Sequence, residues 1–337
     1  MKFVPNRDGL MQLAKAHGLD ALIAMSPENF TYVTGAYVLR TYIEFADNPI
    51  DMLIEALKGA GLGKGRLGMD LDYLPASSHA RLMAALPELT LVNTTEEIAA
   101  VRAIKTDMEV DLLEKTTKQT HQAVLDAMAA AKLGDSERRM ADRIATNIIQ
   151  GGADGTLFMC FSSGERTAEP HHIAEIDKFP QEGETIRFDV GGTYGAYASD
   201  FARTYSAGSP SDMQKQTYAA LCDAQKATIE AVKPGVLAED LFHLCVAEFD
   251  KHGIPFHMPH IGHSFGVELH ETPMLRPGDK TPLKPGMVIN IEPGTRDEDG
   301  AMYHTEDLLV VTDTGFRLLT LGLAPRELPV IGQTITY

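Results

Sequence analysis

The chain has 337 residues, more than a single hydrophobic core usually serves, so two domains are expected. It is 44% apolar and 23% charged, an ordinary globular composition, and its 47 acidic against 30 basic residues leave a formal charge of −17. That balance argues against nucleic acid or an anionic membrane surface as the main partner. Three cysteines without short spacing, Cys160, Cys222 and Cys245, fit neither a disulfide framework nor a zinc knuckle and point to a reducing interior. Pro5, Asn6, Arg7 and Asp8 stand where a signal peptide needs an apolar core, and no run approaches the length of a membrane span, so the expected location is the cytoplasm.

Taken in order, Asp8 to Gly18 is expected to form a short amphipathic helix stopped by its glycine. Ala21 to Met25 follows as a strand and Ser26 to Asn29 as a loop. A helix over Asn48 to Leu57, a strand over Arg66 to Asp70 and a helix over Ala76 to Leu86 complete a small α/β lobe. From Val92 to Lys105 the chain is expected to leave that lobe. Thr106, with Glu109 three residues on, reads as a capping box that opens a long helix to about Lys132. Ser136 to Gln150 forms the next helix, ended by Gly151 and Gly152. The boundary therefore falls near residue 105, with domains at 1–105 and 106–337. In the larger one, Thr185 to Val190 alternates as a strand, Gly191 and Gly192 turn the chain, and Tyr194 to Tyr205 returns. Helices over Asp212 to Val232 and Ala238 to His252 precede strands over Met287 to Glu292 and Tyr303 to Thr312, which makes this an α+β domain.

The chemistry gathers around Met258 to Glu271, where His263 stands between Gly262 and Gly266 and His270 lies seven positions on. Glycine removes the Cβ that would crowd a backbone approaching substrate. Around this stretch, Asp189, Asp200, Glu292 and Glu306 each sit in an apolar, strand-like run, where an acid solvates badly. A single such acid reads more readily as a residue on a wet face; four together do not. Four carboxylates share a cavity only if they share protons or bind cations, and two divalent ions supply four matching charges. Oxygen donors with one imidazole form a hard set suited to Mn²⁺, Co²⁺, Fe²⁺ or Zn²⁺. Two such ions holding a shared hydroxide would attack a carbonyl, so amide hydrolysis is the expected reaction.

The set F-D-V-G-G…S-D-F-A-R-T, G-H-S-F-G-V-E-L-H-E, N-I-E-P-G and T-E-D-L-L-V-V-T resembles peptidase family M24, the pita-bread metallopeptidases. That family includes proline dipeptidase, aminopeptidase P, methionine aminopeptidase and the metal-free creatinase. Tyr-Val-Thr-Gly over Tyr32 to Gly35 and Val-Arg-Ala-Ile-Lys over Val101 to Lys105 are similar to its creatinase/prolidase branch, so the likeness covers essentially the whole chain. The resemblance implies a pita-bread catalytic domain behind a smaller N-terminal α/β lobe. It implies metal-dependent hydrolysis of the Xaa-Pro bond in dipeptides or short peptides, with Mn²⁺ first among the metals and a homodimer as the assembly. It makes Asp189, Asp200, His263, Glu292 and Glu306 the ligands, with Asp200 and Glu306 bridging. It gives Glu292 the proton handling, sets His171 near the scissile bond and has His270 stabilise the oxyanion. His260 takes a supporting place near the substrate. His257, His260 and His263 are spaced by three, but Pro259 and Gly262 argue against a helix that would align them. His172 is read as a neighbour of His171, and Cys160 as a small buried residue.

Three departures accompany the likeness. His304 stands where many relatives carry an arginine, two residues before the last glutamate, and is assigned to the substrate side of the site. Arg276 does not align with the arginine some prolidases use for a substrate carboxylate. The passage from Gly35 to Tyr42 is a few tens of residues shorter than in relatives. Two other functions fit the same scaffold: a creatinase- or ectoine-hydrolase-like C–N hydrolase, and a protein-binding pseudo-enzyme. The complete ligand set disfavours the second.

Overall fold

The computed structural model describes residues 6–35 and 48–337; the shortened passage after Gly35 lies outside the described residues. The chain divides into two compact units, Met1–Arg102 and Ala103–Tyr337.

The first unit is a three-stranded parallel sheet of β1 (Ala21–Ile23), β2 (Arg66–Met69) and β3 (Thr90–Asn93), with β2 central. Its helices are α1 (Arg7–Ala16), α2 (Pro27–Thr34), α3 (Pro49–Gly59), α4 (Ala76–Ala85) and α5 (Thr95–Ala103). Leu67 and Met69 of β2 pack with Ile54 and Leu57 of α3 and Leu82 of α4 in a buried core. Two expectations are corrected here. Ser26 to Asn29 opens α2 instead of forming a loop: the Ser26 hydroxyl accepts from the Asn29 amide at 3.0 Å, and Pro27 takes the first helical position, where its missing N–H is harmless. The stretch from Val92 to Lys105 holds the end of β3 and the helix α5, where only a departing linker was expected; short half-buried strands such as Thr90–Asn93 leave little periodicity to read.

The second unit opens with α6 (Asp107–Ala129), whose capping box is complete: Thr106 Oγ1 accepts from the Glu109 amide, and Glu109 Oε2 accepts from the Thr106 amide at 2.8 Å. After α7 (Glu137–Gln150) comes a sheet in the order β4 (Gly155–Ser163), β5 (Thr185–Tyr194), β6 (Tyr197–Ala198), with β7 (Phe201–Ser206) also antiparallel to β5. Two helices follow, α8 (Asp212–Glu230) and α9 (Ala238–His252). The other large sheet contains β8 (His263–Ser264), β9 (Glu271–Met274) and β10 (Val288–Ile291), while β11 (Gly294–Arg296) and β12 (Met302–His304) form a separate pair. β13 (Asp307–Val311) and β14 (Phe316–Leu318) extend that larger sheet beyond β10.

Gly191 and Gly192 do not turn the chain. β5 runs through them and the turn comes at Gly195 and Ala196, both at positive φ. The glycines serve a close approach instead, since a Cβ at Gly191 would lie 2.3 Å from the Ser199 carbonyl oxygen. The expected strand over Tyr303 to Thr312 is likewise two strands, broken at Thr305 and Glu306. Two apolar cores support the unit. One gathers α6 and α7 against β4, β5 and β7; the other gathers α8 and α9 against the β10–β13 sheet.

Candidate metal centre and active-site cavity

All five acidic and histidine candidates line or underlie one space, and each arrives from a strand or strand end. Asp189 lies in β5 opposite Ala202 of β7, and Asp200 stands just before β7 begins. Glu292 follows the last residue of β10, His263 opens β8, and Glu306 occupies the break before β13. Side chains alternate along a strand, so the turns and breaks at these ends aim carboxylates inward that a continuous ladder would send to both faces. Gly262 lets the histidine strand close on β10, because a Cβ there would lie 2.2 Å from the Asn290 carbonyl oxygen.

Asp189, Asp200 and Glu306 each offer a carboxylate oxygen within 4.8 Å of one another, a geometry that could hold a cation; Asp189, Glu292 and His304 form a second such group. His263 Nε2 is 3.3 Å from Glu292 and 3.7 Å from Asp200. Its Nδ1 lies 3.0 Å from the Ser264 carbonyl, which can only accept, so the proton belongs on Nδ1 and the Nε2 lone pair faces the acids. Asn290 holds the frame together: its Oδ1 accepts from the His263 amide at 2.6 Å and its Nδ2 donates to Glu306 Oε1 at 2.8 Å.

Electrostatics mark the same residues. Burial, then the neighbouring Glu306, Asp189 and Glu292 charges, push the Asp200 carboxyl well above its ordinary pKa. Burial, Glu292 and Asp189 do the same to Glu306. Burial also opposes ionisation of Glu292, but the adjacent His263 and His304 rings outweigh it and hold that carboxyl well below the usual range. Like charges crowded into one buried hollow raise Asp200 and Glu306 in this way. Glu292 Oε1 and Glu306 Oε2 are buried without a hydrogen-bond partner among the described residues, an arrangement that fits a cation at each. The donor set is carboxylate oxygen plus one imidazole nitrogen, which suits hard or borderline divalent ions.

Asp189, Asp200, His263 and Glu292 line a cavity of about 400 Å³, and Glu306 lies behind Asp189 and Asp200, within reach of both. His171, His260 and His270 line it, and His171 and His270 are solvent-exposed. The His270 ring centroid is 4.3 Å from that of His263, and His260 Nδ1 is 3.5 Å from Glu292. His257, the remaining member of the three-spaced series, sits on the exposed wall, while His172 is absent from the lining. Cys160, opposite Asp189 across the β4–β5 ladder, also lines the cavity and is only partly buried. His304 stands in the wall at 1% exposure with both ring nitrogens engaged, by Arg187 and by Glu292, which leaves neither for a substrate. Two residues of the site escaped the sequence reading, Arg187 and Asn290. Each lies two positions before a named acid on a strand, hence on the same face, and that spacing was the available signal.

Comparison with known proteins agrees with this geometry. Residues 111–313 match the model of metallopeptidase family M24, and residues 38–104 match the creatinase/prolidase N-terminal domain. The chain belongs to metallopeptidase family M24. It is an enzyme of that metallopeptidase class with the pita-bread fold, and membership implies divalent metal ions. An uncharacterized peptidase of Bacillus subtilis, YqhT, is 30% identical over 291 residues, 86% of this chain and 81% of that protein. The Xaa-Pro dipeptidase of Pyrococcus furiosus is 35% identical over 225 residues, 66% of this chain and 64% of that protein. Among solved structures, the dipeptidase PepE of Mycobacterium ulcerans superposes with a TM-score of 0.83 at 27% identity, covering 96% of both chains.

Proposed function

We propose that this enzyme hydrolyses the bond preceding proline in dipeptides or short peptides, with two divalent ions held by Asp189, Asp200, His263, Glu292 and Glu306. The observation that carries the reading is that Asp189, Asp200, His263 and Glu292 line one cavity with Glu306 clustered behind Asp189 and Asp200, and that Glu292 Oε1 and Glu306 Oε2 are buried without a hydrogen-bond partner among the described residues. The Xaa-Pro dipeptidase relative supports the substrate class. Bound dications supply Lewis acidity and a nucleophilic water at neutral pH, with Mn²⁺ the first candidate. Glu292, at the base of the cavity, accepts a proton as attack proceeds and returns it to the leaving amine. His270, on the exposed side next to His263, donates to the oxygen that becomes negative. His171 contacts the peptide flanking the scissile bond, and His260, whose Nδ1 is 3.5 Å from Glu292 Oε1, lines the substrate side beside it. By the same reading the enzyme is a cytoplasmic homodimer, which sedimentation of the full chain would check.

The test is a panel of Xaa-Pro dipeptides and longer Xaa-Pro peptides assayed after metal stripping and reloading with Mn²⁺, Co²⁺ or Zn²⁺. Turnover that needs added metal and falls when proline is replaced is the expected result. Activity that survives stripping, or metal binding without any peptide turnover, would overturn it.

Two further outcomes follow from the site. His270→Ala should leave metal content unchanged and lower kcat by about a hundredfold, the usual effect of losing one oxyanion donor; an unaltered kcat would remove His270 from that role. In the metal-free protein the buried acids should also contribute a loss of stability as pH rises above the ordinary carboxylate range, opposed by His121, His260 and His270, whose pKa values burial lowers; the stability difference between wild type and Asp200→Asn isolates the acids' contribution. Asp200 and Glu306 have raised folded-state pKa values, so the folded chain binds more protons than the unfolded chain there and the slope of stability with pH is negative. His263 is raised too, Glu292 outweighing its burial, and contributes with the same sign. Adding a divalent ion should reverse the trend and release protons, measurable by titration calorimetry in buffers of different ionisation enthalpy. A stability difference between the metal-free wild type and Asp200→Asn that stays constant across that range would contradict the assignment.

A further inference from the structure

Arg187 is a buried cation whose contacts the proposed mechanism does not use. Its guanidinium, in β5, meets three groups at once. Nη1 donates to the Pro170 carbonyl, next to His171; Nη2 is 2.9 Å from His304 Nδ1 and 3.4 Å from Asp189 Oδ2. A guanidinium has donors only, so His304 Nδ1 must accept and carries no proton. The ring proton then resides on Nε2, which lies 3.0 Å from the Glu292 carbonyl oxygen and 3.5 Å from Glu292 Oε2. Both groups facing Nε2 accept, so the tautomer that Arg187 selects is the one Glu292 needs. The main chain holds the ring from behind, with the His304 amide donating to Thr204 Oγ1 at 2.8 Å and Thr204 Oγ1 donating to the His304 carbonyl at 2.9 Å.

We infer that Arg187 and His304 act as one positioning couple. Arg187 fixes the tautomer and orientation of His304, His304 aims Glu292, and the same guanidinium ties Asp189 to the segment that carries His171. His304 accordingly does not ligate a cation, although it stands within reach of Asp189 and Glu292: Nδ1 is occupied by a donor and Nε2 bears the proton. Partners that orient metal-binding side chains in this way typically change metal affinity or activity about tenfold to a hundredfold when removed. The couple rests on the reading that the cavity holds dications, and its test separates the two.

The experiment is a double-mutant cycle on the full-length protein, with Zn²⁺ affinity as the readout. Measurable wild-type binding establishes the cation site itself; its absence would defeat the reading and the couple together. Given binding, Arg187→Met and His304→Leu should each weaken Zn²⁺ about tenfold to a hundredfold. The double variant should be no weaker than the worse single, because two residues of one chain of hydrogen bonds lose the same function once. Losses that multiply would overturn the couple while leaving the metal site intact. Should either variant fail to fold, Arg187→Lys and His304→Gln complete the same cycle with gentler losses; Gln keeps a donor towards Glu292, so His304→Gln should retain more affinity than His304→Leu. A second readout needs no metal: in ¹⁵N-histidine-labelled, metal-free protein, the His304 signals should show an unprotonated Nδ1 and a protonated Nε2, a pattern lost in Arg187→Met. A proton on Nδ1 in the wild type, or a pattern indifferent to Arg187, would refute the couple.

Discussion

Asp200→Asn should empty the cavity of metal and abolish turnover together. Asp200 is 5% exposed and has Asp189, Glu292 and Glu306 as its charged neighbours, so its carboxylate is tolerable there only when cations balance it. An amide keeps the shape but presents one weak acceptor oxygen, with an NH₂ turned towards whatever should bind on the other side. The bridging position that the family resemblance implies for Asp200 would not be served that way. The loss of metal affinity should exceed the tenfold to hundredfold, roughly, that removal of an outer orienting group produces. Metal content by mass spectrometry after dialysis, alongside kcat at saturating Mn²⁺, decides the matter; full occupancy at an unchanged rate would contradict the bridging assignment. The metal-free variant should meanwhile be more stable than the metal-free wild type at neutral pH, since one of the crowded acids has gone. That opposite movement of stability and function separates a functional acid from one that holds the fold.

How far the sequence disclosed this site depended on periodicity. Asp189 falls in phase with the polar positions of the alternating Thr-Ile-Arg-Phe-Asp-Val and alone reads as a residue on a wet face; it stands out only because Asp200, Glu292 and Glu306 repeat an acid in strand-like runs. The long helices were legible from caps such as Thr106 with Glu109, whose geometry depends on residues three apart. The misread places are those where a local signal has two meanings. Gly191 and Gly192 resemble a turn, yet the tertiary approach of the Ser199 carbonyl is what excludes a side chain. Ser26-Pro-Glu-Asn resembles a loop, but the same residues are good helix starters, and only the hydrogen bonds of Asp70 to the Met25 and Ser26 amides fix the entry. Arg187 and His304 are 117 positions apart, and no pattern within either strand could announce that they meet.

Lys105 shows a different kind of hidden information, because its phrase was legible as a family likeness while its physical role was not. Lys105→Met should destabilise the catalytic unit by about 3–5 kcal/mol, the range for removing one partner of a buried ion pair. The Lys105 ammonium is 1% exposed, 2.9 Å from Glu271 Oε2 and 3.1 Å from Ser264 Oγ, and its amide donates to the Gly286 carbonyl at 3.0 Å. Ser264 and Glu271 are paired across β8 and β9, one residue from His263 and His270 respectively, so this cation sets the spacing of the strands that deliver both histidines. Glu271 in turn accepts from the Glu268 amide at 3.2 Å, and a Cβ at Gly266 would meet its Oε1 at 3.0 Å; the second glycine flanking His263 is there to admit this carboxylate. Lys105→Met takes the cation away from the buried Glu271 carboxylate, whereas Lys105→Met with Glu271→Leu removes both members of the pair and should recover most of the stability. Urea unfolding of the metal-free protein measures both. A loss below about 1 kcal/mol in the single variant is what an exposed pair would give, and it would mean that the hairpin holds its histidines without this cation.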